Sequence, residues 1–111
     1  MCNRLFGFLE KVYENAVLVE LRKRGLKVEQ QVPVTVWYQE AVVGEYACDL
    51  LVEDKILVEL KSVTNLAEIH HAQVINYLRA LRLEIGLLIN FGPRLEIKRK
   101  ILDVPASSRP V

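Results

Sequence analysis

Apolar residues recur along the chain with two different periods, and the switches between them mark out seven elements. Within residues 8–24, Leu9, Val12, Ala16 and Val19 share one helical stripe, and Val17, Leu18 and Leu21 share another. Arg22, Lys23 and Arg24 load cations onto the last turn, and Gly25 follows where a left-handed cap is wanted. The period then falls to two. Val32, Val34, Val36 and Tyr38 alternate with other residues, which predicts a strand over 28–38, and Pro33 argues for an edge or a bulge there. Strands over 42–52 and 56–61 follow, parted by the polar residues Glu53, Asp54 and Lys55. A second helix is predicted over 66–82, with Asn65 as N-cap and Glu68 completing a capping-box-like pair. The nearly all-apolar run over 85–91 predicts a buried strand, Gly92 and Pro93 a turn, and 95–102 a last strand. The order α-β-β-β-α-β-β predicts an α/β fold, a mixed sheet flanked by helices.

The loop between the second and third strands sets what faces what. Side chains alternate along a strand, so Cys48, Leu50 and Val52 share one face, and Ile56, Val58 and Leu60 share another. A three-residue loop puts both sets on one side of the sheet. Val52 then faces Ile56, Leu50 faces Val58 and Cys48 faces Leu60. The same register sets Asp49 opposite Glu59 and Ala47 opposite Lys61. A two-residue loop would instead send one apolar face to water.

Two carboxylates in cross-strand opposition repel. At about 5 Å and an effective dielectric near 20 the cost is roughly 3 kcal/mol. Lys61 on the same face is one source of compensation, and a hard divalent cation is another. A solvent-facing charged patch would also account for the pattern. Against that, small Ala47 and apolar Leu51 and Leu57 surround the pair. Glu14 supplies a third acid. It lies on the stripe 10, 14, 17, 21, where Val17 and Leu21 are apolar, and a carboxylate there is costly without a partner unless it reaches water at the boundary.

Composition narrows the setting. The chain has 111 residues, 51% of them apolar, which suits one domain over 1–104 with a flexible tail over 105–111. The formal net charge is only +1, so any phosphate binding must be local. Arg22, Lys23, Arg24 and Lys27 form one basic cluster and Lys98, Arg99 and Lys100 another; an ordinary solvated face accounts for each. Cys2 and Cys48 have no metal-ligand spacing, which suits reduced thiols in a cytoplasmic protein, with Cys48 in the core. No apolar run is long enough to span a membrane, and the start has no signal-peptide pattern.

Asp49, then Glu59-Leu60-Lys61 after a helix and a strand, resembles the PD-(D/E)xK pattern of a nuclease superfamily, whose restriction-endonuclease-like core has this element order. More closely, Gly7, Glu10 and Tyr13 match the motif that names the GxxExxY family. Val43-Gly44-Glu45-Tyr46, Val58-Glu59-Leu60-Lys61, the segment His70–Leu78 and the Gly86–Gly92 strand are similar to that family too. The resemblance covers about residues 7–102. It implies a Mg²⁺- or Mn²⁺-dependent nuclease acting on nucleic acid, DNA above all. Asp49, Glu59, the Leu60 carbonyl and Glu14 are the implied metal ligands, and Lys61 the residue that orients the attacking water. Resolvases of the superfamily place a metal-binding Glu some eleven residues before a helix-ending Gly, which from Gly25 points to Glu14; Glu10 is the alternative in the family motif. Gln73 and Tyr77 resemble a pair near the nucleic-acid strand in the recombination-exonuclease branch, and His70 shares their helical face. Tyr13 is a further accessory candidate. A polar helix edge with Tyr77 partly in the core accounts for the same face. Related resolvases are dimers, and Trp37 and Tyr38 on an edge strand would offer a homodimer interface. A catalytically inactive binding or assembly module with the same fold is the rival reading.

Overall fold

A computed structural model describes the backbone of residues 2–103 and the side chains of residues 9–103. The expected tail and the surroundings of Cys2 lie outside these residues. The elements are α1 (Cys2–Lys23), β1 (Val28–Tyr38), β2 (Ala41–Val52), β3 (Ile56–Lys61), α2 (Glu68–Leu81), β4 (Ile85–Phe91) and β5 (Leu95–Ile101). Helix α1 begins well before residue 8, because Gly7 weakens a helix without breaking it. Its end follows the sequence: Gly25 takes φ +82°, and its N–H donates to the Arg22 carbonyl at 3.0 Å.

The five strands form one mixed sheet in the order β1-β2-β3-β4-β5. All neighbours are antiparallel except β3 and β4, which run parallel because α2 makes the crossover between them. Each face of the sheet carries one helix. On the α1 face, Leu18 packs with Val28, Leu50, Val52, Val58 and Leu60. On the α2 face, Val74, Tyr77 and Leu78 pack with Val34, Cys48, Leu57 and Leu88. Strand β1 is an edge strand, as Pro33 argued.

The β2–β3 register is Leu50↔Val58, Leu51↔Leu57 and Val52↔Ile56, as the loop argument predicts. The turn is Glu53-Asp54, both left-handed at φ 54° and 56°, with Lys55 N–H donating to the Val52 carbonyl at 3.0 Å. Such a turn normally wants Asn-Gly. Here Lys27 holds it instead. The Lys27 N–H donates to Glu53 Oε2 at 2.6 Å, the Glu53 N–H donates to the Lys27 carbonyl at 2.8 Å, and Lys27 Nζ pairs with Asp54 at 2.8 Å. Three of the four cations of the first basic cluster are thus spent structurally, with Arg22 on the Val28 carbonyl and Arg24 on Glu20.

Two expectations need correction. Cys48 does not share a face with Leu50: it belongs to the α2-side cluster and Leu50 to the α1-side cluster. The strands change phase between them, opposite Gln31, which takes φ 53° and has no Cα partner in the β1–β2 ladder. Nor is Asn65 the N-cap of α2. Ala67 holds that position, and its N–H is satisfied by His70 Nδ1 at 2.9 Å, so the imidazole does the reciprocal half of a capping box.

Candidate active site

The site forms where β2 parts from β3. The ladder reaches Leu50↔Val58 and stops, so the expected Cys48–Leu60 and Ala47–Lys61 oppositions do not form. One step further, carboxylates take the place of backbone partners. The Asp49 N–H donates to Glu59 Oε1 at 2.9 Å, and the Leu60 N–H donates to Asp49 Oδ2 at 2.8 Å. The register thus does bring Asp49 to Glu59, but side chains bridge a cleft that the ladder leaves open. The cleft opens because β2 follows β1 through the phase change at Gln31.

Helix α1 brings Glu14 to the same place. Glu14 is 4% exposed, so it is buried and not a boundary residue reaching water. Lys11 Nζ donates to it at 3.0 Å, and Gln30 Nε2 is a second donor. Gln31 Nε2 lies between the acids, 3.0 Å from Glu14 Oε1 and 3.3 Å from Asp49 Oδ1. The left-handed backbone of Gln31 is what turns its amide into this position. Asn15 Oδ1 accepts from Gln30 at 2.7 Å and ties α1 to β1 beside the cluster.

Two buried acids and a half-buried third strain one another. Glu59, 3% exposed, has its carboxyl pushed up to about 8, by burial first and by the Asp49 charge second. The Asp49 N–H and Lys61 pull the other way. Burial also raises Asp49, with Glu14 adding to the rise, while the Leu60 N–H, Lys61 and Gln31 oppose it. Burial likewise pushes the Cys48 thiol up to about 12, and the neighbouring Glu59 and Asp49 charges reinforce it.

The donors suit a hard divalent cation: carboxylate oxygens from Asp49, Glu59 and Glu14, and the adjacent Leu60 carbonyl. Among the described residues no group of three acidic, histidine or cysteine side chains already converges as a cage. The reason is visible in the hydrogen bonds. Asp49 and Glu59 each engage a backbone N–H across the strands, and amides from Gln30 and Gln31 supply positive dipoles to Glu14.

The remaining candidates fall around this centre. Lys61 is half-buried, acts on Asp49 and Glu59 through its charge, and makes no salt bridge among the described residues. Tyr13 stacks on Phe91 with centroids 4.4 Å apart and planes 7° apart, which joins α1 to β4. Gln73 donates to the Tyr77 hydroxyl at 2.9 Å, and Tyr77 is buried at 6% exposed. Burial raises Tyr77, and the Glu59 charge adds to that. Partial burial lowers His70, with Lys61 and His71 contributing and Glu10 opposing. Its Nδ1 is committed to Ala67. Glu10 lies near enough to act on His70 but has no hydrogen bond to the three acids.

Sequence reasoning missed Gln30, Gln31 and Asn90. Asn90 is fully buried on β4, its Oδ1 accepting the Val63 N–H at 3.0 Å and its Nδ2 donating to the Val63 carbonyl at 2.9 Å. It holds the chain leaving β3 just past Lys61. Gly92 lies against the same carbonyl, where a Cβ would stand only 2.0 Å away. A polar residue inside an apolar strand was the signal for Asn90. Two consecutive glutamines where the strand alternation should resume were the signal for the others.

A model of the PD-(D/E)XK nuclease superfamily matches residues 3–100. The chain belongs to that superfamily. Among solved structures, "Crystal structure of SSO0001" is similar with a TM-score of 0.66 and 21% identity, over 87% of this chain and 53% of that one. This chain thus spans about half the length of that relative, and the likeness establishes the restriction-endonuclease-like fold alone. No curated protein matches. The superfamily is one of nucleases, and no helix among the described residues is long and apolar enough to cross a membrane.

Proposed function

We propose that the chain is a divalent-metal-dependent nuclease of the GxxExxY branch, hydrolysing phosphodiester bonds in DNA at the Asp49–Glu59 centre. The observation that carries the reading is the crossed pair of hydrogen bonds. Asp49 and Glu59 each bind the other strand's backbone, within reach of the buried Glu14 through Gln31. Two buried acids, Glu14 and Glu59, with half-buried Asp49 beside them are a liability to folding that a cation would convert into a binding site.

Asp49, Glu59, the Leu60 carbonyl and Glu14 would hold Mg²⁺ or Mn²⁺. When bound, the ion supplies Lewis acidity toward a phosphate and lowers the pKa of a water. The protein's part is positional. Burial keeps competing water from the carboxylates, and the cross-strand hydrogen bonds fix their distance. Lys61 offers an uncommitted ammonium to orient the attacking water and offset the charge gathering on the phosphate oxygens. Tyr77 feels the Glu59 charge, and with Gln73 bonded to its hydroxyl the pair suits contact with the nucleic-acid strand.

Purified protein incubated with plasmid, single-stranded and branched DNA in Mg²⁺ or Mn²⁺ tests this. Cleavage is expected, and Lys61→Ala should abolish it; cleavage that survives that change intact would sink the assignment. A second reading, a binding or dimeric assembly module that cleaves nothing, is favoured by carboxylates already engaged with backbone and by exposed Trp37 and Tyr38 on the edge strand. Calorimetry with Mn²⁺ separates the two: no heat, together with salt-sensitive DNA binding, selects the second.

A further inference from the structure

The outer half of the β1–β2 hairpin runs past α2, and a groove of about 1020 Å³ separates them. Its hairpin wall carries Trp37 and Tyr46, 62% and 55% exposed. Exposed apolar surface gathered along a groove, as here, marks an interaction site. The Tyr46 ring lies along the strand over Gly44, where a Cβ would come within 2.9 Å of its Cε2. It also meets the Tyr77 ring at 6.3 Å between centroids and 46° between planes. Tyr77 lines the groove as well, and the Glu59 and Asp49 charges act on it, so the inner wall of the groove adjoins the acidic centre.

The opposite wall carries charge. Arg79 and Arg82, on the last turn and cap of α2, line the groove and are exposed. Neither enters a salt bridge among the described residues. The groove therefore pairs aromatic faces on one side with unspent guanidinium groups on the other. An occupant complementary to both is anionic and carries flat faces. A second copy of this chain fits poorly, because a two-fold contact here would bring the same arginines toward one another. Duplex DNA fits poorly too, because its bases are already stacked on each other.

We propose that this groove binds a single-stranded segment of nucleic acid, with bases on Trp37 and Tyr46 and phosphates at Arg79 and Arg82, and leads it past Tyr77 to the Asp49–Glu59 centre. The destination rests on the nuclease reading; the binding does not need cleavage. Stacking of this kind tolerates any base, so the groove selects strandedness and not sequence.

Trp37 is the sole tryptophan, so its emission reports occupancy directly. The intact chain is titrated in EDTA with a single-stranded oligothymidylate and with a duplex of equal length, at several salt concentrations. The single strand should quench Trp37 and the duplex should not. Tyr46→Ala should weaken single-strand binding roughly tenfold, and Tyr46→Phe should restore it. Arg79→Gln and Arg82→Gln should each flatten the dependence of log affinity on log salt by about 0.7. Equal quenching by the duplex, or single-strand binding indifferent to Tyr46 and both arginines, overturns the proposal. So does quenching that rises with protein concentration alone while light scattering shows a doubled mass. Binding that behaves as expected in a protein that cleaves nothing refutes only the nuclease reading; cleavage without groove binding refutes only this one.

Discussion

Glu59 accepts the backbone N–H of Asp49 at 2.9 Å, at the step where the β2–β3 ladder gives out. One residue thus completes the backbone pairing of a neighbouring strand while its own charge is buried beside a second acid. That tension makes the metal-free protein sensitive to pH. The Glu59 carboxyl lies near 8 when folded, against an ordinary 4.5. The folded state keeps its proton where the unfolded chain has already lost it. The stabilisation is therefore complete below about pH 4.5, declines as pH rises, and is gone above about pH 8. In EDTA, urea unfolding should show stability falling by on the order of 1 kcal/mol per pH unit across that window. Glu59→Gln should flatten the profile.

Gln31 holds two acids together at the cost of a left-handed backbone. Gln31→Ala should lose about 1–3 kcal/mol in EDTA, since it removes the shared donor and keeps the strain. Gln31→Gly should lose about 1 kcal/mol less, because glycine relaxes φ 53°. Thermal unfolding of the two variants side by side checks the order.

The exit of β3 depends on Val63 being clasped by Asn90 and approached by Gly92. Gly92→Ala would drive a Cβ into the Val63 carbonyl, which is backbone and cannot turn aside. A loss above about 3 kcal/mol, or failure to accumulate folded protein, is expected. Asn90→Ala takes the partner from the part-buried Val63 N–H and C=O and should cost about 1–3 kcal/mol. Denaturant midpoints give both numbers.

The Cys48 thiol is buried, and its pKa is pushed up to about 12. It stays protonated and unreactive at neutral pH. In a Cys2→Ser background, an aromatic disulfide reagent should label Cys48 only as fast as the protein opens, with the rate climbing with denaturant. Prompt labelling in native buffer would contradict the burial.

Most of the fold was legible in the periods of the chain. The α-β-β-β-α-β-β order and the β2–β3 register follow from where apolar residues must be buried, and the edge position of β1 from Pro33. So does the approach of Asp49 to Glu59, because the loop has an odd length and the apolar faces must agree. Glu14 was legible as an acid on an apolar stripe. The phase change at Gln31 was not: alternation cannot report where a strand reverses its faces, since that depends on a backbone angle and on what both helices cover. Tertiary structure alone decided that Cys48 and Leu50 part company, that glutamine amides lie among the acids, and that Asn90 holds the end of β3. Those are contacts between residues far apart in the chain, and only the closed sheet brings them within hydrogen-bond reach.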